Sequence, residues 1–423
     1  MDFDLPPHLP AFLEKLDAFI AAEIMPLQHA DDNDRFFDHR REHARTDWDN
    51  QGLPRPEWEE LLHEAARRAD AAGFYRYAWP SRLGGSDGSH LDMAIIREHL
   101  AAKGLGLFND LQNEHSVVGN NPFIQLFEAF ATPEQWARDS QAIIDGKLRT
   151  AFGLTEPNHG SDATWMETRA ERHVKDGQPG WLINGAKMWT TGMHVVSHCL
   201  TFARTSGKDG DARGITAFLV PRDAEGFKIE EYLWTFNMPT DHPRVSFTDV
   251  WVPEHAYWGE VDRGLGIAQS FVHQNRIRQA ASSLGAAVYC VAESVEYART
   301  RITFGKPLAA NQAIQWPLVE LATQCEMLRL LIRKTAWEMD RLDHKAIERQ
   351  LSDKVSMCNY WANRLVCEAA DRAMQVHGGI GYSRHKPFEH IYRHHRRYRI
   401  TEGSEEIQMR KVAGHLFGFM GRG

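Results

Sequence analysis

The sequence predicts an α+β fold in three parts: an N-terminal helical domain, a middle antiparallel β-domain and a C-terminal four-helix-type bundle. Apolar residues recur three and four positions apart before residue 150 and again after residue 262. Short apolar runs bounded by turn residues fill the interval between. At 423 residues the chain is also too long for one compact core. We place the domains at residues 1–150, 151–261 and 262–423.

The N-terminal part carries three segments with helical spacing, at Leu9–Ile24, Trp58–Ala72 and Leu91–Lys103. Turn residues separate these segments. The run from Gln28 to Asn50 is crowded with His, Asp, Arg and Asn. It predicts an exposed loop or an irregular insertion.

The middle part changes to short apolar runs between Gly, Pro, Asp and Asn clusters, which are typical of strands. Asn184-Gly185 lies between two such runs and predicts a hairpin turn. We expect these runs to form an antiparallel β-domain. The runs are Trp181–Ile183, Leu200–Ala203, Ile215–Val220 and Val245–Phe247.

The C-terminal part returns to long amphipathic helices, most clearly at Gly285–Arg299 and Trp316–Arg341. Each has an apolar stripe with charged residues opposite. Because such stripes bury best against one another, a helical bundle is expected.

Composition narrows the class of protein. A net charge of −8 disfavours nucleic-acid binding, because an acidic surface repels phosphates. The start of the chain is acidic and rich in proline, unlike a secretory signal, and no run approaches the ~20 apolar residues that span a bilayer. We therefore expect a cytoplasmic protein with no membrane or nucleic-acid partner.

The five cysteines are scattered along the chain, and no two form a CxxC pair. This pattern predicts reduced thiols rather than a disulfide framework, and no metal site is expected. The cysteines are Cys199, Cys290, Cys325, Cys358 and Cys367.

Four separated segments resemble motifs of the acyl-CoA dehydrogenase family, in the family's order. Residues 152–162 read FGLTEPNHGSD and resemble its LTEPxxGSD loop, and Trp189-Thr190-Thr191 resembles its W-[IST]-[TS] segment. Residues 301–308 with Gln312 resemble its RxxFGxPL…Q run. Residues 375–382 and 400–408 resemble its QxxGGxGY and [IR]xEGTxxIQ motifs. The resemblance covers roughly residues 55 to 415 and implies the family's three-part fold.

The resemblance implies that FAD is the cofactor and that Glu402 is the base that removes a proton. Glycines in these motifs permit close approach of a pyrophosphate. The substrate contacts implied are Ser161, His273, Gln274, Asn275, Arg276 and Gly403. The FAD contacts implied are Phe152, Leu154, Thr155, Gly160, Ser161, Trp189, Thr190, Thr191, Arg301, Gln312, Gln375, Val376, His377, Gly378, Gly379, Ser404, Glu405 and Glu406.

The implied reaction is α,β-dehydrogenation of an acyl-CoA thioester to the enoyl-CoA, with electrons passed from FAD to an electron-transferring flavoprotein or a similar acceptor. Arg301 and Gln312 reach the FAD of a neighbouring subunit in the family, so a homodimer or homotetramer is implied. The alternatives are a flavin-dependent oxidase or monooxygenase on the same fold, and a DNA-associated flavoprotein. A glutamate at position 402 favours dehydrogenation, and the acidic chain disfavours DNA binding.

The chain departs from the family pattern at two places. His273 stands where the family often has an acid in DxxR, and it is either a structural hydrogen-bonding group or a contact to CoA. The run from His394 to Arg399 is unusually basic. It is either a solvated or inter-subunit charged face or an attractor of an anionic acyl group or of CoA phosphates. Gly403 is expected to keep side-chain atoms away from the substrate.

Overall fold

The computed structural model describes residues 4–38, 40, 42–110, 115–119 and 122–419. Helices predominate in the described chain as far as Ile144, the strands of the main sheet follow from Thr150 to Trp258, and long helices return at Gly264. The mixed helix-and-sheet class with a helical C-terminal region is confirmed.

The N-terminal helices bury apolar stripes around Leu9, Trp58 and Ile96. Ser89 begins α4 with a capping box in which its hydroxyl accepts the backbone N–H of Asp92. The three predicted helical segments are all helices. The elements are α1 (Leu9–Phe19), a π-helical turn (Ile20–Ile24), α2 (Met25–His29), α3 (Pro56–Ala71), α4 (His90–Ala102), α5 (Pro122–Phe130) and α6 (Pro133–Ile144).

The insertion predicted at residues 28–50 is only partly exposed. It contains short 3₁₀ turns and the strand β1 (Thr46–Asp47), which pairs with β2 (Leu53–Pro54). Phe36 and Arg45 are buried within it. Arg45 stacks on Trp58 at 4.1 Å and forms an ion pair with Asp110 at 2.9 Å, so a charged residue anchors the segment to the core.

The middle part is an eight-stranded sheet in which β10, β7, β6, β4, β5, β9 and β8 follow one another and β3 lies beside β6. All four predicted apolar runs lie in its strands. The sheet is mainly antiparallel, but β3 pairs with β6 in parallel and one residue pair joins β4 to β6 in parallel. The strands are β3 (Thr150–Gly153), β4 (Arg169–Lys175), β5 (Gln178–Met188), β6 (His198–Arg204), β7 (Ile215–Pro221), β8 (Phe227–Tyr232), β9 (Pro243–Pro253) and β10 (Tyr257–Trp258).

The hairpin predicted at Asn184-Gly185 is wrong. These residues lie inside β5, where the pairing with β9 shifts register at a bulge. Gly185 has φ 144°, and a Cβ there would lie 2.6 Å from Thr168 Oγ1, so the glycine permits a close approach rather than a turn. The turn between β4 and β5 is Asp176-Gly177, both with positive φ (52° and 78°), as a type I′ hairpin requires.

The C-terminal helices form a bundle in which the long α7 packs against α4, α8 and α10. Its core includes Ala280, Leu284, Leu365 and Ala369. All five cysteines are buried and free. The elements are α7 (Gly264–Thr300), β11 (Ile302–Thr303), β12 (Lys306–Pro307), α8 (Gln312–Met339), α9 (His344–Gln350), α10 (Ser352–His377), α11 (Phe388–Arg396) and α12 (Glu405–Leu416). None of the helices in the described ranges is long and apolar enough to cross a membrane.

Candidate active site

Glu402 lies in the turn that precedes α12, and its backbone has a positive φ of 52°. Asn275 Nδ2, on α7, donates a hydrogen bond of 3.3 Å to Glu402 Oε1. The other carboxylate oxygen, Oε2, is buried and has no hydrogen-bond partner among the described residues. A buried acceptor of this kind is uncommon unless a ligand completes it.

Arg276 fixes the main chain of this turn. Its Nη2 and Nε donate to the carbonyl oxygen of Glu402 at 2.6 and 3.0 Å, and its Nη1 donates to Ser356 Oγ at 3.2 Å. Burial lowers the pKa of Arg276 to about 10, against the attraction of Glu402 and Glu348, so the guanidinium is still charged at neutral pH. Arg276 is therefore a positioning residue that holds the main chain of Glu402 in place.

Gly403 follows with φ 86°, and a Cβ there would lie 2.9 Å from Arg276 Nη2. A side chain at this position would therefore collide with the arginine, and the expected contact of Gly403 with the substrate stays a prediction. Gln408 also holds the turn, because its Nε2 donates to the carbonyl of Gly403 at 2.8 Å and to Asn359 Oδ1 at 3.0 Å. Asn359 Nδ2 in turn donates to the carbonyl of Arg276 at 3.0 Å.

Sequence reasoning missed Ser356 and Asn359. Both are polar residues within the apolar stripe of α10, and both are fully buried. A buried polar residue needs a partner. That requirement was the available signal, but the sequence did not reveal that the partners include Arg276 and Gln408, which hold the turn before α12.

The loop after β3 is held by a buried ion pair. Lys187 Nζ donates to Glu156 Oε1 at 2.8 Å and to the carbonyl of Leu154 at 3.2 Å. Glu156 also accepts the backbone N–H groups of Glu167 and Thr168 at 2.6 and 2.8 Å. Burial opposes the charge on Glu156, but the lysine and these hydrogen bonds lower its pKa.

The same loop lies beside Trp189, because the N–H of Met188 donates to the carbonyl of Thr155 at 2.8 Å. Trp189 has φ 63° and exposes 45% of its surface. Gly160, Gly378 and Gly379 would each find no atom within 4 Å of an added Cβ. An exposed indole and open glycine backbone fit a flat ring and a pyrophosphate, as FAD would require.

An aromatic stack joins this loop to the helix that carries Asn275. The ring of Phe152, on β3, lies 4.0 Å from that of Phe271, on α7, with an interplanar angle of 8°. Phe271 precedes Asn275 by about one helical turn. The loop predicted to hold the cofactor and the predicted base therefore share one structural support.

Several predicted FAD contacts have side chains engaged inside the protein. Thr190 is fully buried and its hydroxyl donates to Pro243, whereas Thr191 is exposed and bonds His242 at 2.8 Å. Val376 and His377 are buried at the end of α10. Any contact of Thr190, Val376 or His377 with FAD would have to come from the backbone, and these contacts stay predictions.

The carboxylate of Glu405 is engaged in ion pairs, and its predicted contact with FAD stays a prediction. Its carboxylate pairs with Arg399 at 2.8 Å and with Arg364 at 2.9 Å, and these bonds lower its pKa to about 2. The ion pairs of Glu405 thus fix the start of α12.

The remaining predicted contacts stay predictions. Phe152 and Leu154 are half-buried beside the loop, and Ser404 is half-buried at the start of α12. Ser161, Gln375 and Glu406 are exposed.

His273 has a hydrogen-bonding partner inside the protein, and its role as a substrate contact stays a prediction. It is buried, and its Nε2 bonds Glu348, which also pairs with Lys411. Despite burial, His273 and Lys411 lower the pKa of Glu348 to about 2. His273 and Gln274 both line a cavity of about 280 Å³, together with Ser270 and His344. Of the four residues predicted to contact substrate on α7, the structure brings only Asn275 and Arg276 to Glu402.

Arg301 and Gln312 are exposed at the far end of α7. A helix rises about 1.5 Å per residue, so Arg301 lies ~39 Å from Asn275 along the axis of α7. The structure therefore does not bring Arg301 to the Glu402 turn of the same chain.

The basic run from His394 to Arg399 is not a solvated face throughout, because His394, His395 and Tyr398 are buried. His394 Nε2 bonds Tyr398 Oη at 3.0 Å, and His395 Nδ1 bonds Ser283 Oγ at 2.9 Å. The described residues contain no cluster of three His, Cys, Asp or Glu side chains that could hold a metal ion.

Comparison with known proteins gives matches over most of the chain. The family model described as acyl-CoA dehydrogenase, middle domain, matches residues 151–250, and the one described as acyl-CoA dehydrogenase, C-terminal domain, matches residues 262–417. The chain is 31% identical over 361 residues to the caffeyl-CoA reductase-Etf complex subunit CarC of Acetobacterium woodii, covering 85% of this chain and 89% of that one.

Two further matches come from Megasphaera elsdenii. The chain is 31% identical over 339 residues to its short-chain specific acyl-CoA dehydrogenase, covering 79% of this chain and 83% of that one. The crystallographic butyryl-CoA dehydrogenase of the same organism superposes with a TM-score of 0.78 at 26% identity, over 99% of this chain and all of that chain.

Proposed function

The chain belongs to the acyl-CoA dehydrogenase family, whose members are FAD-dependent oxidoreductases acting on CH–CH bonds, and on that premise we propose that Glu402 is its catalytic base. The proposed reaction converts an acyl-CoA to the α,β-unsaturated enoyl-CoA. The α-proton moves to Glu402, and the β-hydrogen leaves with its electron pair. Bound FAD supplies the acceptor for that hydride.

One observation carries the assignment of the base. Glu402 Oε2 is a buried acceptor without a partner among the described residues, while the rest of the residue is held by Asn275 and Arg276. A base must be both fixed and available, because proton abstraction needs the acceptor within hydrogen-bond reach of the substrate. Resemblance to the family implies that the thioester oxygen is bound by the backbone N–H of Glu402, which would stabilise the charge that develops as the proton leaves.

The residues that would hold FAD are those of the loop after β3 and its neighbours. Thr155 and Ser161 offer hydroxyls, Trp189 offers a flat face beside them, and Gly160 leaves the backbone open. The stack of Phe152 on Phe271 supports their placement beside α7. Gly378 and Gly379 follow His377, which stacks on Tyr297 near the Arg301 end of α7, so we propose that they serve the FAD of a second copy together with Arg301.

We infer a homodimer or a dimer of dimers. Arg301 and Gln312 are too distant from the Glu402 turn to serve a flavin ring bound there in the same chain, but a second copy could supply them. The exposed face of α8 carries the large apolar residues Trp316, Val319, Met327, Leu330 and Trp337. Exposed apolar residues at helical spacing along one helix are typical of an interface.

The physiological acceptor we propose is an electron-transferring flavoprotein, and the compartment is the cytoplasm. The first proposal is supported by the relative from Acetobacterium woodii, whose name places it in a complex with such a protein. The second is supported by the scattered, free cysteines, which fit a reducing compartment.

Anaerobic reduction of the bound flavin tests the proposed reaction. Purified protein should carry FAD, and at least one acyl-CoA from a panel of straight, branched and polar acyl groups should bleach its visible absorbance. Appearance of the enoyl-CoA in proportion to the bleached flavin is the expected product. FAD-loaded protein that no acyl-CoA bleaches would overturn the proposal, and rapid reoxidation by oxygen alone would assign the chain to the oxidases.

A further inference from the structure

An exposed aromatic patch, formed by Trp48, Trp234 and Phe236, lies at the loop between β8 and β9. These residues expose 40%, 59% and 68% of their surfaces. The rings of Trp48 and Trp234 lie 5.3 Å apart in an edge-to-face arrangement, and Phe236 follows Trp234 by two residues in the same loop. Aromatic side chains are enriched where proteins bind one another, because each buries a large area on contact. The aromatic patch therefore has the composition of a docking surface.

Hydrogen bonds between two segments hold the aromatic patch in place. Trp234 Nε1 donates to the carbonyl of Gln51 at 2.7 Å, and the N–H of Thr240 donates to the carbonyl of Gly52 at 2.8 Å. Gly52 has φ 74°, and a Cβ there would lie 3.0 Å from Trp234 Nε1, so the turn after Trp48 fits closely against the indole. A partner that binds side chains already ordered in this way loses less affinity to ordering them.

The aromatic patch lies near Trp189, the exposed indole that we place at the flavin. The ring of Trp189 lies 6.5 Å from that of His242. The carbonyl of His242 accepts the N–H of Leu233 at 3.0 Å, and Trp234 is the next residue along the chain. One ring contact and one backbone hydrogen bond therefore connect Trp189 to the aromatic patch.

The proposed reaction requires a second protein near Trp189. Each turnover transfers a hydride, with two electrons, from the β-carbon of the acyl-CoA to bound FAD, and the acceptor flavoprotein then takes up both electrons. Electron transfer slows steeply with distance, so the acceptor has to dock close to the flavin. Complexes of this kind bury less than about 1,200 Å², which a surface with a few aromatic residues at its centre can supply. A second copy of this chain on the same surface would exclude the acceptor.

Resting on the proposed dehydrogenation and its proposed acceptor, we propose that the electron-transferring flavoprotein docks on the aromatic patch, and that Trp234 and Phe236 contribute most of the binding. Trp48 belongs to the run from Gln28 to Asn50, which precedes the part of the chain that resembles the family motifs. The motifs therefore do not imply this surface, and it follows from the contacts between Trp48, Trp234 and the turn at Gly52.

The test measures binding and electron transfer between the FAD-loaded enzyme and the electron-transferring flavoprotein of the same organism. Phe236→Glu and Trp234→Ser should each raise the Kd of the complex, and the KM for the flavoprotein, by about ten-fold or more, as expected when a central aromatic residue is lost. Phe236→Tyr should retain most of the affinity. Reduction of bound FAD by the best acyl-CoA should match wild type in all three variants, and so should its reoxidation by ferricenium, a small oxidant that needs no docking surface.

Val174→Glu is the matched control. Val174 is 63% exposed and pairs near the start of β5, whereas Trp189 follows its end. At about 3.3 Å per residue, the two positions are ~30 Å apart along the strand. This variant should bind the flavoprotein as wild type does.

Four outcomes separate this inference from the proposed function. If the flavoprotein binds and oxidises Phe236→Glu as it does wild type, the docking surface is overturned while the acceptor stands. If it neither binds nor oxidises reduced wild type, the proposed acceptor falls, and the surface with it. If no acyl-CoA reduces bound FAD, dehydrogenation itself falls. If Phe236→Glu lowers the mass measured by light scattering, the aromatic patch is an interface between copies of this chain. Should Trp234→Ser fail to load FAD, the Phe236 variants decide.

Discussion

The guanidinium of Arg276 donates two hydrogen bonds to the main-chain carbonyl oxygen of Glu402, at 2.6 and 3.0 Å. A glutamate with φ 52° occupies a backbone region that costs about 1–3 kcal/mol, so the surrounding structure must hold it there. Arg276 supplies that hold from α7, and Gln408 supplies another from α12. The placement of the carboxylate is therefore determined by residues on two helices, α7 and α12, that are far apart in sequence.

Glu402→Gln should abolish turnover while FAD and thioester binding remain. Glutamine has nearly the same shape but does not accept a proton at neutral pH. Loss of a general base lowers the rate by about 10²–10⁴-fold, or roughly 3–5 kcal/mol in barrier. Stopped-flow flavin reduction by the best acyl-CoA gives the rate, and ligand-induced spectral shifts give binding. Reduction within a few-fold of wild type would show that Glu402 is not the base.

Arg276→Lys should lower kcat more than it changes FAD content. Lysine keeps the charge but offers one point donor in place of the two that reach Glu402, so the base loses its orientation. A misplaced catalytic group can reduce the rate by about 10²-fold. The measurement is kcat and KM with the same acyl-CoA, together with the flavin-to-protein ratio. Arg410→Lys on the exposed side of α12 is the matched control, and equal kinetics for all three proteins would refute this positioning role.

Leu330→Glu should weaken self-association and FAD retention together. Leu330 is 53% exposed in the apolar stripe of α8, and a buried carboxylate there would lack a partner. If a second chain supplies Arg301 to the FAD site, dissociation removes that contact. Light scattering with simultaneous flavin absorbance measures both properties. Val174→Glu changes a residue 63% exposed on β4 and serves as the control; a flavin-loaded wild-type monomer at micromolar concentration would contradict the model.

Glu405→Gln should destabilise the protein at neutral pH and much less in acid. The folded-state pKa of Glu405 is lowered to about 2, below the ordinary value near 4.3, so the charged form stabilises the fold. This contribution is complete above about pH 4.5 and is lost as pH falls toward 2. Its size is about 1–2 kcal/mol, because the two arginine partners are partly hydrated.

Urea denaturation of wild type and Glu405→Gln at pH 7 and pH 3 measures that difference. The gap between the two midpoints should shrink at pH 3. Glu406→Gln changes the exposed neighbour and should show a small gap at both pH values. A gap for Glu405→Gln that is the same at both pH values would rule out the ion pair as its cause.

Sequence periodicity was sufficient to predict the helices and the strand runs, because each buries an apolar face whose spacing is visible locally. It failed at Asn184-Gly185, where a glycine that permits a close contact with Thr168 has the same local signature as a turn. What distinguishes a bulge from a turn here is the pairing of β5 with β9, a strand far along the chain. Register of this kind is set by tertiary packing.

The candidate site shows the same limit. Motif resemblance brought Glu402, Asn275 and Arg276 into one set, and the structure places them in contact. It also included Thr190 and Glu405, whose side chains bond inside the protein. A motif records which residues occur together, but it does not record which way each side chain turns.

The buried pair of Lys187 and Glu156 has a consequence for how the cofactor is acquired. The pair ties the loop after β3 to β5 with protein atoms alone, so the loop has its shape before any ligand arrives. A segment that folds only on binding loses affinity to its own ordering, whereas a preformed one does not. Apoprotein should therefore bind FAD without first reordering this loop. The loop loses its conformational entropy when the chain folds, and not a second time when FAD binds.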